Sequence, residues 1–193
     1  MIAAFLFILS TSLQDEFAVG ATSEVRYIVP ISREELREYV DDIGLFARHM
    51  PGVVRIQHLA DDTYLYETSR NIPLGRSLDA VFHVRKSVQG DSVTRYESIQ
   101  HDAQNFISCS VVIVPVTTTA TSITISLHVR LRRESAWEVH WFAPVLGAGF
   151  ISEQMSEDLD SMLQTFVANS NHELYRRFGR RIDGVDTLNE GDE

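Results

Sequence analysis

From Ser23 to Arg132 apolar and polar residues alternate with period two, and from Ile151 to Phe178 the period becomes that of a helix. In this second stretch Ile151, Met155, Leu159, Met162, Leu163, Phe166, Val167 and Leu174 recur at helical steps with no proline or glycine between them. The spacing predicts one long amphipathic helix with a single apolar stripe. Its natural burial partner is the alternating region, a sheet with one apolar face. One long helix laid across one curved sheet tends to enclose a space.

The alternating region divides at its turn residues. Ser23 to Val29, with Val25, Tyr27 and Val29 on one face, predicts a first strand that stops at Pro30. Ser32-Arg-Glu-Glu35 has the form of a capping box. It predicts a helix with Leu36, Tyr39, Val40 and Ile43 on its apolar side and Gly44 at its end. Leu45 to Met50 reads as a second short helical turn, closed by Pro51-Gly52. Val53 to Leu59 resumes the alternation, and a turn at Ala60-Asp-Asp62 leads to a strand through Tyr64, Tyr66 and Thr68. Asn71 to Arg76 reads as a loop. Leu78, Ala80, Phe82 and Val84 share one face of the next strand. Further strands are Val93 to His101, Phe106 to Val114, and Ser122 to Arg132, where Ile123, Ile125, Leu127, Val129 and Leu131 form one face. The turns are too short for helical crossovers, so the sheet is expected to be antiparallel.

The connector Arg133 to Gly149 carries Trp137, Trp141 and Phe142. It is expected to pack under the terminal helix, with a gate over the enclosed space and a membrane-surface contact as alternatives. Arg176, Arg177, Arg180 and Arg181 complement the negative end of the helix dipole.

Composition narrows the function classes. A chain of 193 residues with 44% hydrophobic and 23% charged residues suits one globular domain. A net charge of −10, with 17 scattered Lys and Arg, argues against a nucleic-acid surface. Met1 to Leu9 is apolar but far shorter than the roughly 20 residues of a spanning helix. It has the length of a signal-peptide core, and Ala18-Val-Gly20 or Val19-Gly-Ala21 would serve as a cleavage site, but no Lys or Arg precedes it. The expected organisation is an extension over residues 1–21, a ligand-binding domain over 22–178, and a polar, acidic, disordered tail over 179–193. The expected location is cytoplasmic, with export as the alternative.

Candidate chemistry is sparse. Cys109 is the one cysteine, so no intrachain disulfide forms, and its strand-like surroundings read as a small buried hydrophobe. The seven histidines show no metal-ligand spacing, and no Gly-x-Ser-x-Gly elbow is present, so neither metal nor cofactor is expected. Asp41-Asp42 falls at a helix end, where a capping or solvated role is expected. Candidate lining residues of the enclosed space are Met155, Leu159, Met162 and Phe166 on the helix, with Leu163 beside them, and Tyr64, Tyr66, Phe82, Tyr96 and Ser98 on the strands. Trp141 and Phe142 join them from the connector. For Tyr64 and Tyr66 the register is open, because Leu65 could be the inward residue.

Three local sequences carry a family resemblance. These are Val29-Pro-Ile-Ser-Arg-Glu-Glu-Leu36 running into Val40-Asp-Asp-Ile-Gly-Leu-Phe46, His49-Met-Pro-Gly-Val53 followed by Asp62-Thr-Tyr64, and the terminal helix after a glycine-containing connector. Over about Ser23 to Phe178 the chain resembles the START-like superfamily of polyketide cyclases, dehydrases and lipid-transport proteins. Met50-Pro-Gly-Val-Val54 and Leu74-Gly-Arg76 most resemble its carbon monoxide dehydrogenase G branch. The resemblance implies an α+β helix-grip fold: a curved antiparallel sheet of about seven strands around a long C-terminal helix, with two short helices after strand 1. It implies a small hydrophobic ligand, such as a lipid, quinone or polyketide-like molecule, held between sheet and helix. A cyclase or dehydratase, and a membrane-recruitment or assembly factor, are the alternative activities it implies.

Overall fold

Residues 17–72, 76–100, 104–138 and 143–178 are described by a computed structural model. Seven strands form one sheet: β1 (Phe17–Val29), β2 (Val53–Ala60), β3 (Thr63–Ile72), β4 (Arg76–Gln89), β5 (Val93–Ser98), β6 (Asn105–Thr117) and β7 (Ala120–Arg133). Their order across the sheet is β1-β7-β6-β5-β4-β3-β2, and every neighbouring pair is antiparallel. Three helices complete the fold: α1 (Arg33–Asp41), α2 (Ile43–Phe46) and the long α3 (Ala143–Phe178). Short 3-10 helices span Ala47–His49 and Ala136–Glu138. This is the α+β helix-grip architecture.

The alternation places the core as expected. On β7, Ile123, Ile125, Leu127 and Leu131 are buried, as are Ala80, Phe82 and Val84 on β4. Leu159, Met162, Leu163, Phe166 and Leu174 of α3 are buried against them. Phe166, fully buried, meets the edge of Phe46 with ring centroids 5.1 Å apart. The Tyr39 hydroxyl donates to Ser170 Oγ at 3.1 Å, tying α1 to α3.

The capping box forms: Ser32 Oγ accepts from Glu35 N, and Ser32 N donates to Glu35 Oε2 at 2.9 Å. The helix it starts ends earlier than Gly44. Asp42 leaves the helical region, with φ −90° and ψ 95°, and its carboxylate accepts from Leu45 N at 3.1 Å, so that it closes α1 and opens α2. Asp41 is held by Lys86, which donates to its carbonyl at 2.7 Å and pairs with its carboxylate at 3.3 Å. Asp41 thus joins the helical pair to β4.

Several boundaries differ from the sequence expectation. β5 ends at Ser98, short of the expected His101, and β6 runs past Val114 to Thr117. β1 starts at Phe17 rather than Ser23, with Val19 and Ala21 buried, because it pairs with β7 as far as Arg133. Residues 17–21, assigned to the extension by a boundary at residue 22, are sheet residues, and cleavage after Gly20 or Ala21 would cut inside β1. α3 starts at Ala143 rather than Ile151, broken at Gly147, whose φ of 79° and ψ of 162° suit only glycine. The loop expected from Asn71 to Arg76 is narrower, with β3 running to Ile72 and β4 beginning at Arg76. The apolar stretch Met1 to Leu9, Leu74 and Gly75, His101, and the tail at 179–193 with Arg180 and Arg181 lie outside the described residues. No helix among the described residues is long and apolar enough to cross a membrane.

At the C-terminal end of α3, Glu173 is gripped by Arg176 at 2.7 Å and Arg177 at 2.6 Å. Their hydrogen bonds hold its carboxyl well below its ordinary value of 4.5, at about 2. A carboxyl depressed by folding adds stability above the unfolded value and loses it as pH falls towards the folded one. Denaturant titrations of Glu173→Gln and the parent are therefore expected to differ at pH 7, with the difference shrinking from pH 4.5 and closing near pH 2. Phe166→Ala should lower the unfolding free energy by about 3–5 kcal/mol in the same measurement.

Candidate functional site

The helices do not fill the concave side of the sheet. A cavity of about 160 Å³, partly open to solvent, lies between α2 with the 3-10 turn after it, the middle of α3, and the inner faces of β1 and β3 to β7. Phe46, Tyr66, Phe82, Tyr96, Leu127 and Leu159 supply much of its wall. Pro51, Thr68, Val129 and Met155 are half-buried lining residues and Asp158 is exposed, which places them at its openings. Asp158 is the one charged side chain among the described lining residues.

Pairing between strands puts both tyrosines of β3 on the inner face, Tyr64 opposite buried Val84 and Tyr66 opposite buried Phe82. Tyr66 lies opposite Ile56 on β2 and Phe82 on β4, and is 7% exposed. Its ring sits 6.2 Å from that of Phe82. Its hydroxyl has no hydrogen-bond partner among the described residues, and burial pushes its pKa up. Tyr64, on the same face two residues earlier, packs against the edge of the core but lines a neighbouring open groove instead of the cavity, its ring tilted against His58 at 5.1 Å and sharing the groove with Glu38, Asp41 and Asp42. Leu65, the alternative inward residue, does not line the cavity.

The remaining sequence candidates divide in the same way. Tyr96 lines the cavity, but its hydroxyl is committed to the carbonyl of Val40 at 2.6 Å. Burial, with smaller contributions from Cys109 and Asp41, raises its pKa. Phe82, Met155, Leu159 and Met162 also line the cavity. Ser98 does not: it is buried with Oγ accepting from Ile107 N at 2.9 Å, a structural bond between β5 and β6. Phe166 lies one turn too far along α3 and belongs to the packed core. Trp141 and Phe142 lie outside the described residues. Trp137 does not pack under α3; it is 59% exposed, and Val145, Leu146 and Phe150 are exposed near the same end of the helix.

Several lining residues do not stand out in the sequence. Cys109 is one, although the signal is present, since it alternates with Ile107 and Val111 on the inner face of β6. Burial pushes its thiol up to about 12, so it stays protonated. Ile43, Phe46, Met50 and Pro51 close the cavity from the α2 side, where short helical turns show too little periodicity to assign a face. Asp158 belongs to the polar side of the α3 stripe and reaches the cavity only at its edge. No group of three or more His, Cys, Asp or Glu side chains comes together to hold a metal among the described residues. Apart from Asp158 at its edge, the described lining is thus uncharged and rich in aromatic rings, and the Tyr66 hydroxyl has no hydrogen-bond partner among the described residues.

The fold recurs in solved structures. A START superfamily protein from Mycobacterium smegmatis superposes with a TM-score of 0.56 at 14% identity, covering 80% of this chain and 97% of that one. The chain has the START-like fold. The Zhui aromatase/cyclase from Streptomyces sp. R1128 gives 0.55 at 14% identity over 86% of this chain and 99% of that one. The di-domain aromatase/cyclase StfQ of the steffimycin biosynthetic pathway gives 0.54 at 11% identity, over 82% of this chain and 52% of the di-domain protein. No protein-family model and no curated protein matches the sequence.

The two cavity tyrosines should respond differently to loss of the hydroxyl. Tyr96→Phe removes a bond and strands the Val40 carbonyl, and should cost about 1–3 kcal/mol. Tyr66→Phe removes a hydroxyl with no partner among the described residues and should be neutral or stabilising. Equilibrium unfolding of the two variants checks the contrast.

Proposed function

We propose that the protein binds a small hydrophobic ligand in the cavity between sheet and α3, and carries or presents it. The observation behind this reading is an unfilled, apolar, partly open space at the centre of a fold whose surroundings are otherwise close-packed. Ligand sites have this character, concave and apolar with few polar groups. The size sets a bound. A cavity of about 150 Å³ admits a benzene-sized molecule, so 160 Å³ holds one ring or a short branched chain. A quinone, polyketide-like or lipid ligand would extend through the openings or require α3 to move.

The START-like fold also supports enzymes, and an aromatase/cyclase is among the similar structures. The cyclase reading rests here on Tyr66, whose free hydroxyl could donate to a substrate carbonyl. Catalysis of that kind draws on several polar groups that converge on the reacting atoms, and Tyr96 and Ser98 spend theirs on the backbone. That favours the carrier reading. A membrane-recruitment or assembly role, the reading drawn from likeness to the carbon monoxide dehydrogenase G branch, takes its support from exposed Trp137, Val145, Leu146 and Phe150.

Gently purified protein is expected to retain a co-purifying hydrophobe in native mass spectra. Ala80→Phe, which fills the cavity from β4, should remove that species and weaken binding of an added apolar fluorophore at least tenfold. Repeated empty spectra for the parent protein, together with unchanged fluorophore binding by the filled variant, would reject the reading.

A further inference from the structure

We propose that the cavity discriminates by charge, taking neutral or cationic ligands and rejecting anionic ones such as free fatty acids and aromatic carboxylates. This rests on the cavity being the ligand site, and it names the class of ligand that site accepts. Three observations carry it.

The first is the lining itself. Among the described lining residues there is no Lys, Arg or His, and the interior groups that can ionise, Tyr66, Tyr96 and Cys109, are held neutral by burial. A carboxylate drawn inside would lose its hydration and find no cation to replace it, which costs several kcal/mol per ion in protein interiors. The second is Asp158. Its carboxylate lies at an opening and has no hydrogen bond or ion pair among the described residues. Asp160, two residues on, is by contrast engaged by the hydroxyl of Ser23. A ligand whose polar end stays at the mouth therefore meets a negative charge that no ion pair among the described residues offsets. The third is the Tyr66 hydroxyl, a single neutral donor and acceptor deep in the wall, suited to a carbonyl or hydroxyl oxygen.

Together these describe an amphipathic guest: an apolar body about one ring across, an inner end that is apolar or carries one neutral oxygen, and an outer end that is neutral or an amine. The protein's net charge of −10 acts in the same direction, since it lowers the local concentration of anions at the mouth.

Three matched compounds test this with the full chain: 3-phenylpropan-1-ol, 3-phenylpropylamine and 3-phenylpropanoate, which share one ring and one tether and differ in terminal charge. Titration calorimetry at pH 7 and low salt is expected to rank amine and alcohol above acid. Asp158→Asn should narrow the amine-to-acid affinity ratio about fivefold, the scale of one exposed charge pair, and leave the alcohol unchanged. Asp158→Arg should bring the acid level with the amine or above it. The position is exposed, so both variants are expected to fold, and circular dichroism confirms that they do. Equal binding of acid and amine by the parent protein, or a ratio untouched in both variants, overturns the charge selection while leaving the cavity a ligand site. Failure of all three compounds to bind removes the cavity as a site for guests of this size, and the selection with it.

Discussion

A sheet of seven strands is wider than any one helix. Six spacings of about 4.8 Å make a surface roughly 29 Å across, while a helix with its side chains is about 10 Å thick. α3 packs chiefly along β1, at one margin of this surface. It therefore covers about a third of the apolar face, and the rest of the structure answers to that mismatch. α1 and α2 supply a second cover, and the space that neither reaches is the cavity.

The covers are fastened by a few polar groups. Tyr39 reaches Ser170, Tyr96 reaches the Val40 carbonyl, and Lys86 holds the end of α1 through Asp41. Because α1 and α2 share Asp42 as the cap of both, the short helical pair is set at one angle to the sheet. Fixing the covers from their ends leaves the centre free of polar obligations. What remains there is aromatic, sulfur-bearing and aliphatic surface with one idle phenol, a lining that favours an apolar guest over water.

Much of the architecture is legible in residue spacing, because a half-buried sheet and an amphipathic helix write their burial directly into the sequence. β7 is the clearest case: Ile123, Ile125, Leu127 and Leu131 point inward and His128 outward. The capping box at Ser32 and Glu35 is equally plain. Site residues are harder for a physical reason. Periodicity gives the face of an element but not the level along it, so Met162 and Phe166 share a stripe while only Met162 borders the cavity. Tyr64 and Tyr66 flank Leu65 on a strand with apolar surface on both faces, and only cross-strand pairing with Val84 and Phe82 puts the tyrosines rather than Leu65 on the inner face. Ser98 points inward as expected, yet a backbone amide claims it. Phe17 to Thr22 escapes recognition as strand because small residues such as Ala18, Gly20 and Ala21 dilute the alternation that marks the rest of β1.

The fastening of α3 to β1 has a consequence beyond the cavity. β1 is an outer strand with a neighbour on one side only, and the amide of Gly20 donates not to a strand but to Ser152 Oγ of α3, at 3.2 Å. The roof of the chamber thus also shields a raw sheet margin of the kind that templates pairing with foreign chains. Lifting α3 far enough to admit a bulky guest would bare that margin in the same movement. Admission of such a guest and exposure of the margin are then coupled through the same helix, and a guest that leaves the roof in place would act as the protein's own solubiliser.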